Sequence, residues 1–141
     1  MHISVRGIVE EETGIVLIHR VKEREDGTIR DYYVVPGGKE EKGENNLQTL
    51  ERELKEELGI GITVKEKLIE YHSDYDDTIQ IFYFCTRKDG KIGTGEGPEM
   101  TDKEHYKGLF EPTIIDYGKV KDINLVPEEI KSLLIKRYQK N

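Results

Sequence analysis

The sequence predicts an α/β protein in which strands flank two helices in mixed order, an α/β sandwich. Three observations carry this reading. Apolar and polar residues alternate over runs of strand length on both sides of residues 45–58. Residues 45–58 hold good helix formers with no Pro or Gly, and set Leu47, Leu50, Leu54 and Leu58 on one narrow stripe that needs a core to pack against. A second helical stretch, 127–138, closes the chain with Pro127 in its first turn. At 141 residues the chain is long enough for a core and too short for two, so 1–141 is read as a single domain.

Each element follows from period and punctuation. Residues 2–11 and 14–22 read as two strands around the tight turn Glu12-Thr13-Gly14. A polar loop, 23–27, leads to a short strand, 30–35, which delivers the chain to the glycine-rich turn Pro36-Gly37-Gly38. The helix over 45–58 stops at Gly59, the usual C-terminal place for glycine. Residues 62–73 and 78–87 alternate as paired strands around Asp74-Tyr75-Asp76-Asp77. Residues 90–101 form a glycine-dense loop, 106–115 a further strand, and 127–138 a helix with Leu133 and Leu134 inward. The single Cys85, in the run IQIFYFC, reads as a core residue with no disulfide partner.

Composition narrows the function classes. Hydrophobic residues make up 35% and charged ones 36%, which predicts a soluble protein with a modest core. A net charge of −7 argues against electrostatic capture of a nucleic-acid polymer. It is compatible with a nucleotide, whose few phosphates bound metal can neutralise. No apolar run approaches membrane-spanning length, and the start MHISVRG has no signal-peptide core, so no membrane partner is expected. A reducing cytoplasm suits the lone cysteine. The oligomeric state is left open, with a homodimer among the options.

The chemistry concentrates on one helix. Glu53, Glu56 and Glu57, spaced i, i+3, i+4, converge within about 100° of one another, where they repel. A solvated acidic face is the plain alternative. Two features favour a cation instead: glycines at 37 and 38 let backbone approach a ligand, and the carboxylates adjoin the buried stripe. Hard oxygen donors suit Mg²⁺ or Mn²⁺ rather than zinc.

Residues 38–60 read GKEEKGENNLQTLERELKEELGI and meet the pattern G-x5-E-x7-R-E-U-x-E-E-x-G-U, with U aliphatic, at every specified position. In this the chain resembles the Nudix hydrolases. The resemblance implies the Nudix fold, a mixed β-sheet sandwiched between α-helices. It also implies Mg²⁺- or Mn²⁺-dependent hydrolysis of a pyrophosphate bond in a nucleoside diphosphate linked to another moiety, with a nucleotide-type small molecule as partner. Glu53, Glu56 and Glu57 match the family's metal-binding glutamates, and Glu53 is the box residue that serves as general base. Arg52 matches the arginine that orients those carboxylates through an ion pair; a surface pair with Glu56 is the alternative. The Gly38 backbone, with that of Gly37, is a candidate metal ligand. Glu44 is structural, capping or bracing the helix start, and Gly59 is structural at its end. A non-catalytic nucleotide-binding regulatory module on the same fold is the alternative, and a structural Ca²⁺ protein a weaker one. The full set of carboxylates with Arg52 favours the enzyme.

Outside this motif, the resemblance implies that residues 93–99 are the second place to expect chemistry. Glu99 is the first candidate there for a further ligand or base and Glu96 the second, with Pro98 stiffening the approach. Arg20 and Lys39 are the candidate cations for substrate phosphates, followed by Arg6 and Arg30. Tyr32, Tyr33, Tyr75, Tyr83 and Tyr106 are candidate stackers for a base. His19, His72 and His105 have no zinc-ligand spacing and receive no role.

Overall fold

A computed structural model describes residues 2–73, 76–96 and 108–139. Strands β1 (His2–Glu10) and β2 (Gly14–Glu23) leave their turn antiparallel, but their register holds only at Val9 with Val16 and Glu10 with Ile15. Strands β3 (Ile29–Val34) and β4 (Gly37–Lys39) then pair with β2 and β1 respectively. Helix α1 (Asn46–Leu58) follows, then the long antiparallel pair β5 (Ile60–His72) and β6 (Thr78–Gly90). Strand β7 (Leu109–Asp116) pairs with β2 along its length, and a 3₁₀ helix (Tyr117–Asp122) leads to helix α2 (Glu128–Tyr138).

The sheet is mixed because β1 runs parallel to β6, from His2 beside Thr78 to Val9 beside Cys85. With β6 on one edge of β1 and β7 on one edge of β2, both β3 and β4 must use the remaining edges. They fill the wedge that opens where β1 and β2 diverge. The expected turn at Gly37 and Gly38 is therefore a strand in the middle of the sheet, a correction with a plain cause. Three ladder residues are too few to show an alternation, and their glycines read as a turn.

Side-chain alternation sends two cores to opposite faces. Val5, Val9, Val16 and Ile18 pack against Leu50, Leu54 and Leu58 of α1. Ile8, Ile15, Leu17, Phe82 and Phe84 pack against Ile130 and Leu134 of α2 and Val120 of the 3₁₀ helix. The sheet is thus sandwiched between helices, as the sequence predicts. Cys85 is buried and free, and burial pushes its thiol up to about 12. Among the described residues no helix is long and apolar enough to cross a membrane.

Helix α1 begins with a reciprocal capping box: the Asn45 side chain accepts from the Gln48 N–H while Gln48 accepts from the Asn45 N–H. It ends at Gly59, left-handed at φ 80°. Leu47 departs from the expected buried stripe and is 44% exposed. It sits in the first turn, whose cap residues Asn45 and Gln48 are also exposed, so periodicity gave its direction but not its depth. Leu54→Ala should cost about 3 kcal/mol in a denaturant titration, from lost transfer energy and a cavity, whereas Leu47→Ala should stay within about 0.5 kcal/mol.

Candidate active site

Strand β4 and the loop after β6 meet at the C-terminal half of α1. Strand β4 lies beside the helix and brings the Gly37 and Gly38 backbone against its carboxylate face. The Gly37 N–H donates to Glu57 Oε1 at 3.2 Å. A Cβ on Gly38 would stand 2.5 Å from the carboxyl carbon of Glu53, so only glycine lets that carboxylate in. The loop after β6 closes the far side. The Gly93 N–H donates to the Leu58 carbonyl at 3.1 Å, and a Cβ on Gly95 would lie 2.4 Å from the Glu56 carbonyl oxygen.

The three glutamates of the motif differ in their surroundings. Glu57 is buried, at 4% exposure, and its carboxyl lies within hydrogen-bonding reach of Glu53. Burial, then the charge of Glu53, pushes the Glu57 pKa well up. Burial also raises Glu53, against the pull of Arg52. Glu56 is more exposed and accepts from Arg52 Nη1 at 3.3 Å. Among the described residues no three His, Cys, Asp or Glu groups stand together ready to hold a cation. Glu53 and Glu57 converge, whereas Glu56 is turned towards Arg52.

Arg52 is the hub of the surrounding network. It donates to Glu44 through Nε at 2.7 Å and Nη2 at 3.1 Å, to Glu53 at 3.0 Å, and to the Lys39 carbonyl at 3.0 Å. This bidentate grip, together with the Glu41 N–H and the Thr49 hydroxyl, holds the Glu44 carboxyl down at about 2. Arg52 is in turn held firmly protonated. The helix cap itself is Asn45, and Glu44 braces Arg52 from beside it.

The raised Glu57 pKa has a consequence for the metal-free protein. Native Glu57 binds its proton more tightly than the unfolded chain does at its ordinary 4.5. Stability must therefore fall as pH rises from about 4.5 through the folded value. Melting in EDTA should show Glu57→Gln gaining on the wild type across that window. Parallel curves for the two proteins would contradict the assignment.

Comparison with known proteins decides the family. The model of the NUDIX domain matches residues 1–124. The chain belongs to the Nudix family. Family membership makes it an enzyme of the pyrophosphohydrolase class. Among solved structures, the E. coli ORF135 protein is 25% identical with a TM-score of 0.66, covering 96% of this chain and 86% of that one. A MutT from work on Aliivibrio salmonicida and Vibrio cholerae is 21% identical, TM-score 0.67, covering 96% and 98%. An ADP-ribose pyrophosphatase from Streptococcus suis is 14% identical, TM-score 0.65, covering 99% and 93%. These last two likenesses show the fold alone. No curated protein sequence matches the chain.

The Nudix box residues Gly38, Glu44, Arg52, Glu53, Glu56 and Glu57 thus come together where β4 lies beside the C-terminal half of α1, with Glu44 reached from before the helix through Arg52. Lys39 adjoins them through its carbonyl, with its side chain towards solvent. Arg20 does not join them; it lies on β2, opposite Tyr32 and Phe110. The cation facing Glu57 and Glu53 is Arg6, behind Gly37, donating to Gln80 at 2.7 Å and the Val35 carbonyl at 2.8 Å. The sequence offers Arg6 only as one candidate cation among four, because nothing local marks it; the register of β1 with β4 brings it there. Glu96 is exposed and directly follows Gly95. Glu99, Tyr75 and Tyr106 lie outside the described residues.

Proposed function

We propose that the chain hydrolyses a pyrophosphate bond in a nucleoside diphosphate linked to another moiety, using Mg²⁺ or Mn²⁺ held by Glu53, Glu56 and Glu57. The observation that carries this is the apposed pair Glu53 and Glu57, one of them buried, meeting a glycine backbone with no side chain between. Such a pair is costly in the fold without a cation, and its hard oxygens suit these ions. The Gly38 carbonyl is a further donor in this reading. When bound, the divalent ion would neutralise charge on the phosphate oxygens and polarise the phosphorus centre.

The chain's own groups do the rest. Glu53 is the general base: its carboxylate takes a proton from water, whose oxygen bonds to phosphorus as the bridging phosphorus–oxygen bond breaks. The products are a nucleoside monophosphate and the phosphorylated second moiety. Arg52, locked by Glu44, positions Glu53 and Glu56 through its ion pairs with both. Lys39 meets the substrate phosphates from the β4 side, and Glu99 adds a further carboxylate. We place this single-domain protein in the cytoplasm, where Cys85 stays reduced.

A panel of ADP-ribose, dinucleoside polyphosphates, NADH, nucleotide sugars and oxidised dNTPs tests the reading, with Mg²⁺ or Mn²⁺ and product identification. At least one member should yield a nucleoside monophosphate, and EDTA should abolish that reversibly. Turnover unaffected by EDTA would count against it.

A further inference from the structure

A second arginine serves the carboxylates without joining the network around Arg52. Alternation along β1 turns Val5, Gly7 and Val9 towards α1, and turns Arg6 with Ile8 to the opposite face of the sheet. There Arg6 stands beside Phe82 of β6 and donates from Nε to Gln80 Oε1 at 2.7 Å. Its Nη1 donates to the Val35 carbonyl at 2.8 Å. The next residue, Gly7, donates through its N–H to the Pro36 carbonyl at 2.9 Å. Two consecutive residues of β1 thus pin the segment that enters β4.

The Gly37 backbone lies between Arg6 and Glu57. Its N–H donates to Glu57 Oε1 at 3.2 Å, and a Cβ built on it would stand 2.9 Å from Arg6 Cγ. Burial lowers the Arg6 pKa, and the charges that oppose this are those of Glu57 and then Glu53. A guanidinium keeps its proton in a protein, so this positive charge is permanent. Arg52 takes no part here, since its donors are committed to Glu44, Glu53, Glu56 and the Lys39 carbonyl.

Arg6 is poorly placed to bind a substrate phosphate. Nε and Nη1 already have acceptors, and the side chain leaves the sheet on the face away from α1. What its position supplies is a fixed positive charge behind two apposed carboxylates. Such a charge acts in two ways. It offsets the repulsion between Glu53 and Glu57 when no ion is present, and it repels a divalent cation arriving between them. We propose that Arg6 is a positioning residue of this cation site, which fixes residues 35–37 under Glu57, holds the empty carboxylate pair together and limits the affinity of the empty enzyme for the ion. The proposal rests on the metal reading of Glu53 and Glu57 given above.

The test is calorimetric binding of Mn²⁺ alone to the full chain, paired with melting in EDTA at neutral pH, for wild type, Arg6→Gln and Arg6→Lys. Arg6→Gln lacks the charge, so it should melt several degrees lower in EDTA and yet bind Mn²⁺ about fivefold or more tighter. Arg6→Lys keeps the charge and should bind Mn²⁺ within about twofold of the wild type. A merely structural arginine would give the opposite sign, because loosening residues 35–37 would misplace Glu57 and weaken the ion in both variants. Should Arg6→Gln fail to fold, Arg6→Met, of similar length and uncharged, carries the same expectation. Equal or weaker Mn²⁺ binding in the uncharged variant, or equal tightening in Arg6→Lys, would overturn the proposal. Absence of Mn²⁺ binding in the wild type and the uncharged variant alike would sink the metal reading and this one with it. Wild-type binding that loss of the charge leaves unchanged would sink this one alone.

Discussion

Glu57→Gln yields a folded protein whose turnover is lower by about two orders of magnitude or more. The amide keeps the size of the side chain and can still accept from the Gly37 N–H, so the contact between β4 and α1 survives. What disappears is a buried negative charge, and with it half of the apposed pair formed with Glu53. The same change relieves the repulsion and desolvation that raise the Glu57 pKa. Without metal, the variant should therefore melt at or above the wild-type temperature at neutral pH. Lost activity with undiminished stability is the signature of a functional carboxylate, because a structural one would lose both. Near wild-type turnover in saturating Mg²⁺ would show that Glu57 holds no metal.

Gly38→Ala should also remove most activity, by about tenfold or more, with little change in melting temperature. The added methyl group meets only the far end of the Glu53 side chain, which can swing away. Swinging away misplaces the proposed base. Gly37→Ala makes the opposite case. Its Cβ would stand 2.1 Å from the Val5 carbonyl oxygen, against backbone that cannot yield, at φ 148°. It should cost about 3 kcal/mol or more in a denaturant titration. Equal melting temperatures for the two variants would contradict this division between neighbouring glycines.

Much of this was legible in the chain because local signals carried it. The helix over 45–58 with Gly59 at its end, the β5–β6 pair and the α2 helix all declare themselves by period and punctuation, whereas the cap falls on Asn45 and not on Glu44. The carboxylate cluster follows from i, i+3, i+4 spacing, which any helix enforces. What could not be read depends on register between distant segments. That β1 and β2 diverge beyond Val9 and Val16, and that β4 enters the wedge, is set by competition among strands for edges. Arg6 reaches Glu57 only through that register. The Leu47 side chain shares its direction with Leu50 but lies beyond what the core covers. Arg20, one cation among 22 Lys and Arg residues, stands out among the described residues for a buried Nε with no hydrogen-bond partner, which no sequence pattern encodes.

The central claim is that Glu53 and Glu57 form a cation site. Its most direct test is the melting temperature of the metal-free protein before and after millimolar Mg²⁺ or Mn²⁺. An ion that binds only the folded state stabilises it by mass action, by about 2.7 kcal/mol at a hundredfold excess over Kd. The account predicts a rise of several degrees in the wild type and little or none in Glu57→Gln. An unshifted wild type, or an equal rise in both proteins, would contradict it.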